Sequence, residues 1–154
     1  MGKQLLVPHF QQKANGYCLP ACVQMVWGYW GVVASQDEIA KLLGMRHYFG
    51  IPMSQIKRLE TSGLTVVFDQ GTARELENWL NRGVPVVVFL QAGELPYWQG
   101  EIFQHAVVAV GMDEQFIWLL DPALTDSNSV STPLDDFMLA WGEMDYSFAV
   151  LNRR

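Results

Sequence analysis

The stretch Gln12-Lys-Ala-Asn-Gly-Tyr-Cys18-Leu-Pro-Ala-Cys22 decides the fold, because a turn within it leads directly into a helical pattern. Asn15-Gly16 is typical of a turn, and Pro20 suits the first turn of a helix, where its missing N–H removes no hydrogen bond. One apolar face continues from Leu19 to Trp30, and Gly31 ends the pattern. We therefore predict a buried helix over Leu19–Trp30, with the Cys18 thiol at its N-terminal end.

Length and composition predict one self-sufficient domain over residues 1–154. Half of the residues are apolar or aromatic, which is enough for a core that needs neither disulfides nor a metal. The net charge of -6 and the sequence pI near 4.9 argue against a nucleic-acid partner. The longest apolar run, Val84–Leu90, is far shorter than the roughly 20 residues of a membrane-spanning helix and is interpreted as a buried strand. The first residues show no signal peptide, so we expect a cytoplasmic location.

Helical patterns come early in the rest of the chain and strand patterns come late. Capping boxes at Ser35–Glu38 and Thr72–Glu75 predict a helix over Ile39–Leu43 and another that ends before Gly83. The other predicted elements are helices over Pro52–Thr61 and Thr132–Trp141, strands over Leu64–Phe68, Val84–Leu90, His105–Val110, Phe116–Leu120 and Ser147–Leu151, and surface loops over Gln91–Gln104 and Ala123–Thr132. This segregation predicts an α+β fold in which an N-terminal helical half packs on a C-terminal antiparallel sheet.

Cys18 is the candidate nucleophile. A thiol at a helix N-terminus lies in the partial positive charge of unpaired N–H groups, which favours the thiolate. The alternative is that Cys18 is a small buried apolar side chain, as free cysteines often are. Cys22 lies one turn further along on the apolar side, where core packing explains it. No histidine stands at a zinc-ligand spacing from the Cys-x3-Cys pair, which argues against a metal site and for two free thiols.

His105 and Asp121 are the candidate general base and the carboxylate that orients it. His105 begins an apolar strand, and Asp121 ends the strand that returns antiparallel to it. A hairpin centred near Asp113 pairs the two residues directly, with Cβ atoms roughly 5 Å apart, close enough for the carboxylate to hold the imidazole. The alternatives are a hydrogen-bonded sheet-edge histidine and an ordinary Asp-Pro turn. His9 and His47 lie in loops, where solvent or local capping explains them.

Gln12 is the candidate oxyanion donor. It precedes Cys18 by six residues, and the Asn15-Gly16 turn folds the chain back between them. Its carboxamide N–H and the backbone N–H of Cys18 would then hydrogen-bond a developing oxyanion. Gln11 is adjacent and could compete for the same role.

The spacing Gln-x5-Cys, followed by a late histidine and by Asp-Pro sixteen residues after it, resembles the C39 peptidase family of papain-like, bacteriocin-processing peptidases. The resemblance spans nearly the whole chain. It implies a papain-like fold in which Gln12 supplies the oxyanion hole, Cys18 attacks, His105 is the base and Asp121 orients it. The best-known members are domains of peptide-exporting ABC transporters that cut leader peptides after a double glycine.

The sequence departs from those transporter domains around the nucleophile, where they usually carry Asp-Cys-Gly and this chain has Tyr17, Leu19 and Pro20. The larger groups are expected to crowd the cleft, which argues against double-glycine specificity. No transmembrane or ATPase portion accompanies the domain, so a stand-alone protein is expected. The segment Gly93–Trp98, in the loop before His105, is predicted either to form a wall of the substrate cleft or to pack the loop down as an aromatic clasp.

Three functions fit these residues. The first is a cysteine peptidase that hydrolyses a peptide or amide bond of a peptide or protein substrate through Gln12, Cys18, His105 and Asp121, with no cofactor or metal. The second is a peptide-binding module that has the fold without turnover, although the presence of Cys18 argues against it. The third is an acyl or amide transferase that uses the same residues with a different acceptor.

Overall fold

A six-stranded antiparallel sheet organises the molecule. The structure is a computed structural model that describes residues 3–46, 51–98, 100–101 and 103–154, so the loop position expected for His47 lies outside the described residues. The helices are α1 (Cys18–Tyr29), α2 (Gln36–Leu42), α3 (Ala73–Asn81) and α4 (Leu134–Gly142), with 3₁₀ helices over Met53–Leu59, Ala92–Glu94 and Pro96–Trp98. The strands are β1 (Leu64–Gln70), β2 (Val86–Gln91), β3 (Gln104–Met112), β4 (Phe116–Leu120), β5 (Val130–Pro133) and β6 (Ser147–Arg153).

The strands lie in the order β1-β6-β2-β3-β4-β5, and each neighbouring pair is antiparallel. The strand that comes last in the sequence therefore lies inside the sheet, between β1 and β2. The register of β2 and β3 places His105, near the start of β3, opposite Leu90. The hairpin turn from β3 to β4 spans Asp113–Phe116, and Oδ1 of Asp113 accepts the backbone N–H groups of Gln115 and Phe116 at 2.8 Å.

Each face of the sheet has its own apolar core, because side chains alternate between the faces along a strand. Val87 and Phe89 of β2 belong to the core that contains α1, α2 and the 3₁₀ helix Met53–Leu59. Val86 and Val88 belong to the core on the other face, which α3 and α4 cover. The predicted α+β class is confirmed, and the helices cover both faces of the antiparallel sheet.

The hydroxyl caps predicted at Ser35 and Thr72 are confirmed. Helix α1 begins within one residue of the predicted position, and Gly31 follows its end at a φ of +83°. The Ser35 hydroxyl accepts the backbone N–H of Glu38 at 3.1 Å, and the Thr72 hydroxyl accepts that of Glu75 at 3.2 Å. Helix α2 begins directly after Ser35, earlier than predicted, because the cap residue immediately precedes the first helical residue. In the described part of the chain, no helix is both long enough and apolar enough to cross a bilayer.

Two predicted elements differ from the structure. The helix predicted over Pro52–Thr61 is the shorter 3₁₀ helix Met53–Leu59. The loop predicted to reach Thr132 ends in β5, which pairs with β4, so the following helix begins only at Leu134. Strand β5 was not predicted because it is a short, mostly polar edge strand without a run of buried residues. Its proline lies at the end of the strand, a position where an edge strand tolerates proline.

Candidate active site

Cys18 is the first residue of α1 and lies partly buried. Burial is the strongest influence on its thiol and opposes ionisation. Hydrogen bonds from His105 and from the backbone N–H groups of Ala106 and Leu19, together with the charge of His105, outweigh burial and lower the pKa of the thiol. The predicted position at the helix start is therefore confirmed, and the surroundings favour the thiolate.

His105 contacts both Cys18 and Asp121. Its Nε2 lies 2.7 Å from Oδ1 of Asp121, and the two side chains are only 3% and 0% exposed. Because the carboxylate engages Nε2, the Nδ1 atom is the ring nitrogen left for the Cys18 sulfur. Burial acts against the charged imidazole, but hydrogen bonds and charge interactions with Asp121 and Cys18 raise the pKa of His105 to about 9.

Asp121 remains ionised despite its burial. Desolvation opposes the carboxylate most, yet the hydrogen bond and charge of His105, the backbone N–H of Ala123 and the hydroxyl of Tyr97 lower the pKa of Asp121. The Ala123 N–H donates to the same Oδ1 that faces His105, at 2.9 Å. Asp121 can therefore hold the imidazole in one orientation and stabilise its protonated form.

The contact between His105 and Asp121 arises from a register that differs from the predicted one. Val108 pairs with Leu120, and continuing this register beyond β4 places Asp121 opposite Val107 rather than His105. The direct pairing was wrong because the hairpin turns later than Asp113 and because β3 has a bulge between Ala109 and Gly111. His105 and Asp121 are diagonal neighbours, a separation that a ring as long as imidazole can bridge.

Two aromatic residues of the loop before β3 close over Asp121. The Tyr97 hydroxyl and the Trp98 indole N–H both donate to Oδ2 of Asp121, at 2.9 and 3.0 Å. The Trp98 ring meets the His105 ring edge to face at 5.9 Å, and Phe103 meets it at 5.2 Å. Burial and the charge of Asp121 raise the pKa of Tyr97, which keeps the phenol protonated as a donor. Trp98 also lines the cavity, so the segment Gly93–Trp98 combines the two predicted roles of clasp and cleft wall.

The N-terminal segment that carries Gln12 is bound to the loop after β4. The His9 ring donates from Nε2 to the backbone carbonyl of Asp121 at 2.8 Å. The backbone N–H of Gln12 donates to the carbonyl of Pro122 at 2.7 Å. These two bonds fix the distance between the candidate oxyanion donor and the residue that orients His105. His9 is therefore a structural partner of the site rather than a solvated loop residue.

The Gln12 side chain lies on the cavity wall with Cys18. One N–H of its carboxamide donates to the carbonyl of Ala14 at 2.9 Å, which leaves the second N–H for another acceptor. Its Oε1 is buried and has no hydrogen-bond partner among the described residues. Gln11, the competing candidate, is exposed and does not line this cavity. The geometry therefore favours Gln12 over Gln11 as the carboxamide beside the thiol.

Residues of α2 tether the loop between Gln12 and Cys18. The Lys13 ammonium lies 2.7 Å from Asp37, and the Tyr17 hydroxyl donates to the same carboxylate at 3.0 Å. The Gln36 side chain accepts the backbone N–H of Lys13 at 2.9 Å. Tyr17 thus bonds to α2 and is absent from the lining of the described cavity. Of the three residues expected to crowd the cleft, Leu19 alone is part of that lining.

Cys18 and His105 open into a cavity of about 1140 Å³. Its described lining combines polar residues, among them Asn15, Ser54, Glu101 and Gln104, with a larger apolar surface. A cavity of this size can enclose several residues of an extended chain or a compact small molecule. The nucleophile is therefore accessible from a preformed space beside the sheet.

Cys22 takes no part in this site. Its side chain is fully buried in the α1 core, and burial raises the pKa of its thiol well above the ordinary value. The predicted core role of Cys22 is confirmed, and both cysteines are free. Within the described ranges, no three His, Cys, Asp or Glu residues come close enough to hold a metal ion.

Sequence reasoning missed the direct support that Tyr97, Trp98, Phe103 and His9 give to the site. Tyr97 and Trp98 carried a signal, because two adjacent aromatic residues with polar hydrogen atoms preceded a candidate catalytic strand. Their acceptor could not be identified, since Asp121 lies more than twenty positions away. The contact of His9 with Asp121 spans 112 positions, and no local pattern marks it.

Solved structures of C39 peptidase domains have the same fold. A Bacillus anthracis protein described as a candidate C39-like peptidase is 20% identical, with a TM-score of 0.74 over 99% of this chain and 98% of its own. The peptidase domain of Streptococcus ComA, a bi-functional ABC transporter involved in quorum sensing, is 16% identical, with a TM-score of 0.74 over 98% of each chain. A double glycine motif protease from an AMS/PCAT transporter, solved in complex with the leader peptide, is 15% identical, with a TM-score of 0.72 over 98% of this chain and 94% of its own.

The family assignment comes from the sequence itself. No curated protein matches the chain. The sequence profile of the Peptidase_C39 like family, however, matches residues 4–148, which confirms the resemblance inferred from the spacing of the glutamine, cysteine, histidine and aspartate. This chain therefore belongs to the Peptidase_C39 like family and has its papain-like α+β fold.

Proposed function

We propose that this protein is a cysteine peptidase that hydrolyses a peptide or amide bond with Cys18 as nucleophile, His105 as general acid and base, Asp121 as the orienting carboxylate and Gln12 as an oxyanion donor. The observation that carries the proposal is the buried 2.7 Å contact of His105 with Asp121, made by the same imidazole that hydrogen-bonds the Cys18 thiol. The pKa of the Cys18 thiol is lowered, that of the His105 imidazole is raised and that of the Asp121 carboxyl is lowered. These directions favour a thiolate, an imidazolium and a carboxylate, which are the forms that the reaction needs. Membership of a peptidase family supports the reaction class.

In the proposed first step, His105 holds the proton of the Cys18 thiol as an imidazolium, and the thiolate sulfur attacks the carbonyl carbon of the scissile bond. The π electrons of the carbonyl move to its oxygen, which accepts hydrogen bonds from the free N–H of Gln12 and from the backbone N–H of Cys18. The latter N–H belongs to the first helical turn, where such groups have no acceptor within the helix. The position of Gln12 on the cavity lining beside Cys18 and its second carboxamide N–H, which Ala14 does not use, support this role.

In the proposed second step, the tetrahedral intermediate collapses as His105 donates its proton to the leaving nitrogen. The carbon–nitrogen bond breaks, the amine departs, and a thioester to Cys18 remains. The neutral imidazole then takes a proton from water, whose oxygen attacks the thioester carbon. The second tetrahedral intermediate then collapses: its carbon–sulfur bond breaks, the carboxylic acid product departs, and the sulfur leaves as the Cys18 thiolate. The proton that His105 took from water stays on the imidazole, which regenerates the thiolate and imidazolium pair. Asp121 stays ionised throughout and stabilises the imidazolium whenever it forms.

We further propose that the substrate is a peptide or protein. The double glycine motif protease was solved in complex with a leader peptide, so a relative with this fold binds a peptide. The cavity beside Cys18 is large enough for several residues of an extended chain. Analysis of the products in the presence of added amines distinguishes hydrolysis from acyl transfer to an amine. Hydrolysis gives a carboxylic acid, and transfer gives a new amide.

Labelling with iodoacetamide, followed by intact-mass analysis, tests the nucleophile. The unaltered protein should gain one adduct, on Cys18, faster than a free thiol does at neutral pH, because its thiolate is favoured. Cys18→Ala should lose the adduct and all peptidase activity while keeping its melting temperature. Cys22→Ala is the matched control and should label at the normal rate. Rapid labelling that persists in Cys18→Ala would contradict the assignment, as would peptide cleavage by that variant.

A further inference from the structure

The cavity that Cys18 and His105 line also has a set of large apolar side chains on its lining. We call this set the apolar pocket, and its described members are Leu19, Ile51, Met53, Phe68, Phe89 and Met144. The pocket therefore belongs to the same cavity as the position where a scissile bond would lie.

The sheet register creates the space for this pocket. Phe89 of β2 pairs with Ala106 of β3, and Phe68 of β1 pairs with Ala149 of β6. Ala106, Ala149 and Phe89 all belong to the same core cluster on the α1 face. The two phenylalanine rings meet edge to face at 6.0 Å. Each phenylalanine thus stands beside an alanine, and the short alanine side chains leave room that a larger residue would fill.

The charges around the cavity argue against a charged occupant of the pocket. Among the described residues that line it, none is a lysine or an arginine, and the His105 imidazolium is already paired with Asp121 and Cys18. Glu101 is on the lining but is exposed, where water screens its charge. An apolar occupant gains most, because it removes both its own surface and the pocket surface from water. Met53 and Met144 add flexible side chains that can adapt to aliphatic or aromatic shapes.

We infer that the substrate places a large apolar side chain, such as leucine, methionine or phenylalanine, in this pocket, one or two residues from the scissile bond. The inference rests on the proposed peptidase function and names the substrate class of that site. It separates this chain from the relative known as a double glycine motif protease, because glycine would leave the apolar pocket filled with water. A pocket that admits large side chains discriminates against small ones by lost burial.

A series of peptidyl vinyl sulfones tests the inference on the intact protein. These reagents alkylate the thiolate without turnover, and their rates report how well the attached peptide is bound. The series varies one residue at a time, at the first and second positions before the reactive group, among glycine, aspartate, leucine and phenylalanine. At one of the two positions, leucine or phenylalanine should label Cys18 roughly 10- to 200-fold faster than glycine, with aspartate slowest. Equal or faster labelling by the glycine reagents at both positions would overturn the inference.

Two phenylalanine variants connect the preference to the pocket. Phe68→Ala removes one wall and should reduce the ratio of phenylalanine to glycine labelling about tenfold or more. Phe116→Ala is the matched control, because Phe116 also lies in the sheet but does not line the cavity, and it should keep the ratio. An unchanged ratio in Phe68→Ala would show that another surface makes the selection. If Phe68→Ala does not fold, Met144→Ala gives the same test, and the series on the unaltered protein still decides the side-chain class.

Failure of the proposed function gives a different result. If iodoacetamide labels Cys18 rapidly and none of the peptidyl reagents does, the site does not accept peptides, which overturns the function and the inference together. If all the peptidyl reagents label Cys18 equally well, the peptidase function stands and only the apolar preference is wrong. Digestion of a mixed peptide library gives an independent check, because enrichment of large apolar residues near the cut sites should match the labelling series.

Discussion

His105 presents opposite edges of its ring to two partners, with Nε2 held 2.7 Å from Asp121 and Nδ1 left for Cys18. The order thiol, imidazole, carboxylate follows from three separate elements: the first residue of α1, the start of β3 and the residue after β4. No two of the three are neighbours in the sequence. The reactivity that we propose therefore depends on the tertiary fold.

We expect Gln12→Ala to lower kcat about 100- to 1000-fold with little change in KM, because an oxyanion donor acts mainly in the transition state. The chain offers a matched control in Gln11→Ala, which alters an exposed neighbour of the same type and should keep nearly full activity. Steady-state kinetics on a fluorogenic peptide measures both variants. Equal losses in the two variants would argue that the loop, rather than the Gln12 carboxamide, is what matters.

Replacing the Asp121 carboxylate should shift the alkaline limb of the profile of kcat/KM against pH. The imidazolium that we propose as general acid is lost as pH rises through the pKa of His105, which is about 9 with Asp121 ionised. Asp121→Asn removes the negative charge, so the limb in kcat/KM should shift to lower pH, and the maximum rate should fall roughly 100- to 10,000-fold. An alkaline limb that stays where it was would show that it reports another group.

Tyr97→Phe should weaken the site through Asp121. The change removes one of two side-chain donors to Oδ2 while keeping the ring, so the carboxylate is less well held and the alkaline limb should shift in the same direction as in Asp121→Asn, but less. Loss of a hydrogen bond to a buried charged group should also cost about 1.5–3 kcal/mol of unfolding free energy. Tyr146→Phe is the control, because Tyr146 lies outside the site and is 42% exposed. A loss of stability with an unchanged pH profile would mean that Tyr97 is purely structural.

The His105 and Asp121 pair should make the stability of Cys18→Ala depend on pH. The folded pKa of His105 is raised above its ordinary value of 6.5, so its contribution is complete below about pH 6.5 and is lost as pH rises through the folded pKa. Cys18→Ala keeps the part of the pKa shift that Asp121 causes and loses the part that the thiol causes, so its unfolding free energy should fall by about 1–2 kcal/mol across this interval, since one pKa unit corresponds to about 1.4 kcal/mol. Urea unfolding at several pH values measures the effect.

The experiment uses Cys18→Ala because the thiol changes the stability with pH in the opposite direction to His105. The pKa of Cys18 is lowered by folding, so its contribution grows as pH rises towards its unfolded value and offsets the loss from His105. Adding Asp121→Asn to Cys18→Ala should flatten the dependence on the alkaline side. If the double variant retains the slope of Cys18→Ala, the slope arises from other titrating groups.

Local signals in the sequence predicted the parts of the site that local structure determines. Helix α1 followed from Pro20 and the apolar face, and the α2 and α3 starts followed from hydroxyl caps at Ser35 and Thr72. The apolar strands β2, β3 and β4 were found within two residues at each end, because buried runs bounded by turn residues mark them. The single-domain extent and the cytoplasmic location stay predictions.

Long-range geometry was not predictable from the same signals. The register of the hairpin depended on hydrogen bonds of the Asp113 carboxylate and on a bulge, and neither is evident in the apolar pattern. Strand β5 owes its conformation to β4 rather than to its own residues. The donors to Asp121 are distant in sequence, so no local pattern identified them. The direct pairing of His105 with Asp121 was wrong, and the catalytic roles of Gln12, Cys18, His105 and Asp121 stay predictions.

The position of β6 has a consequence for the order in which the molecule is completed. Because β6 lies between β1 and β2, a growing chain that has not yet reached Ser147 leaves one edge of each of these strands open. Strand β2 carries Leu90, the partner of His105, so the base has its full support only after the last strand has been inserted. We therefore expect the proposed peptidase activity to appear only after β6 has been inserted, which would keep the unfinished chain away from an active site.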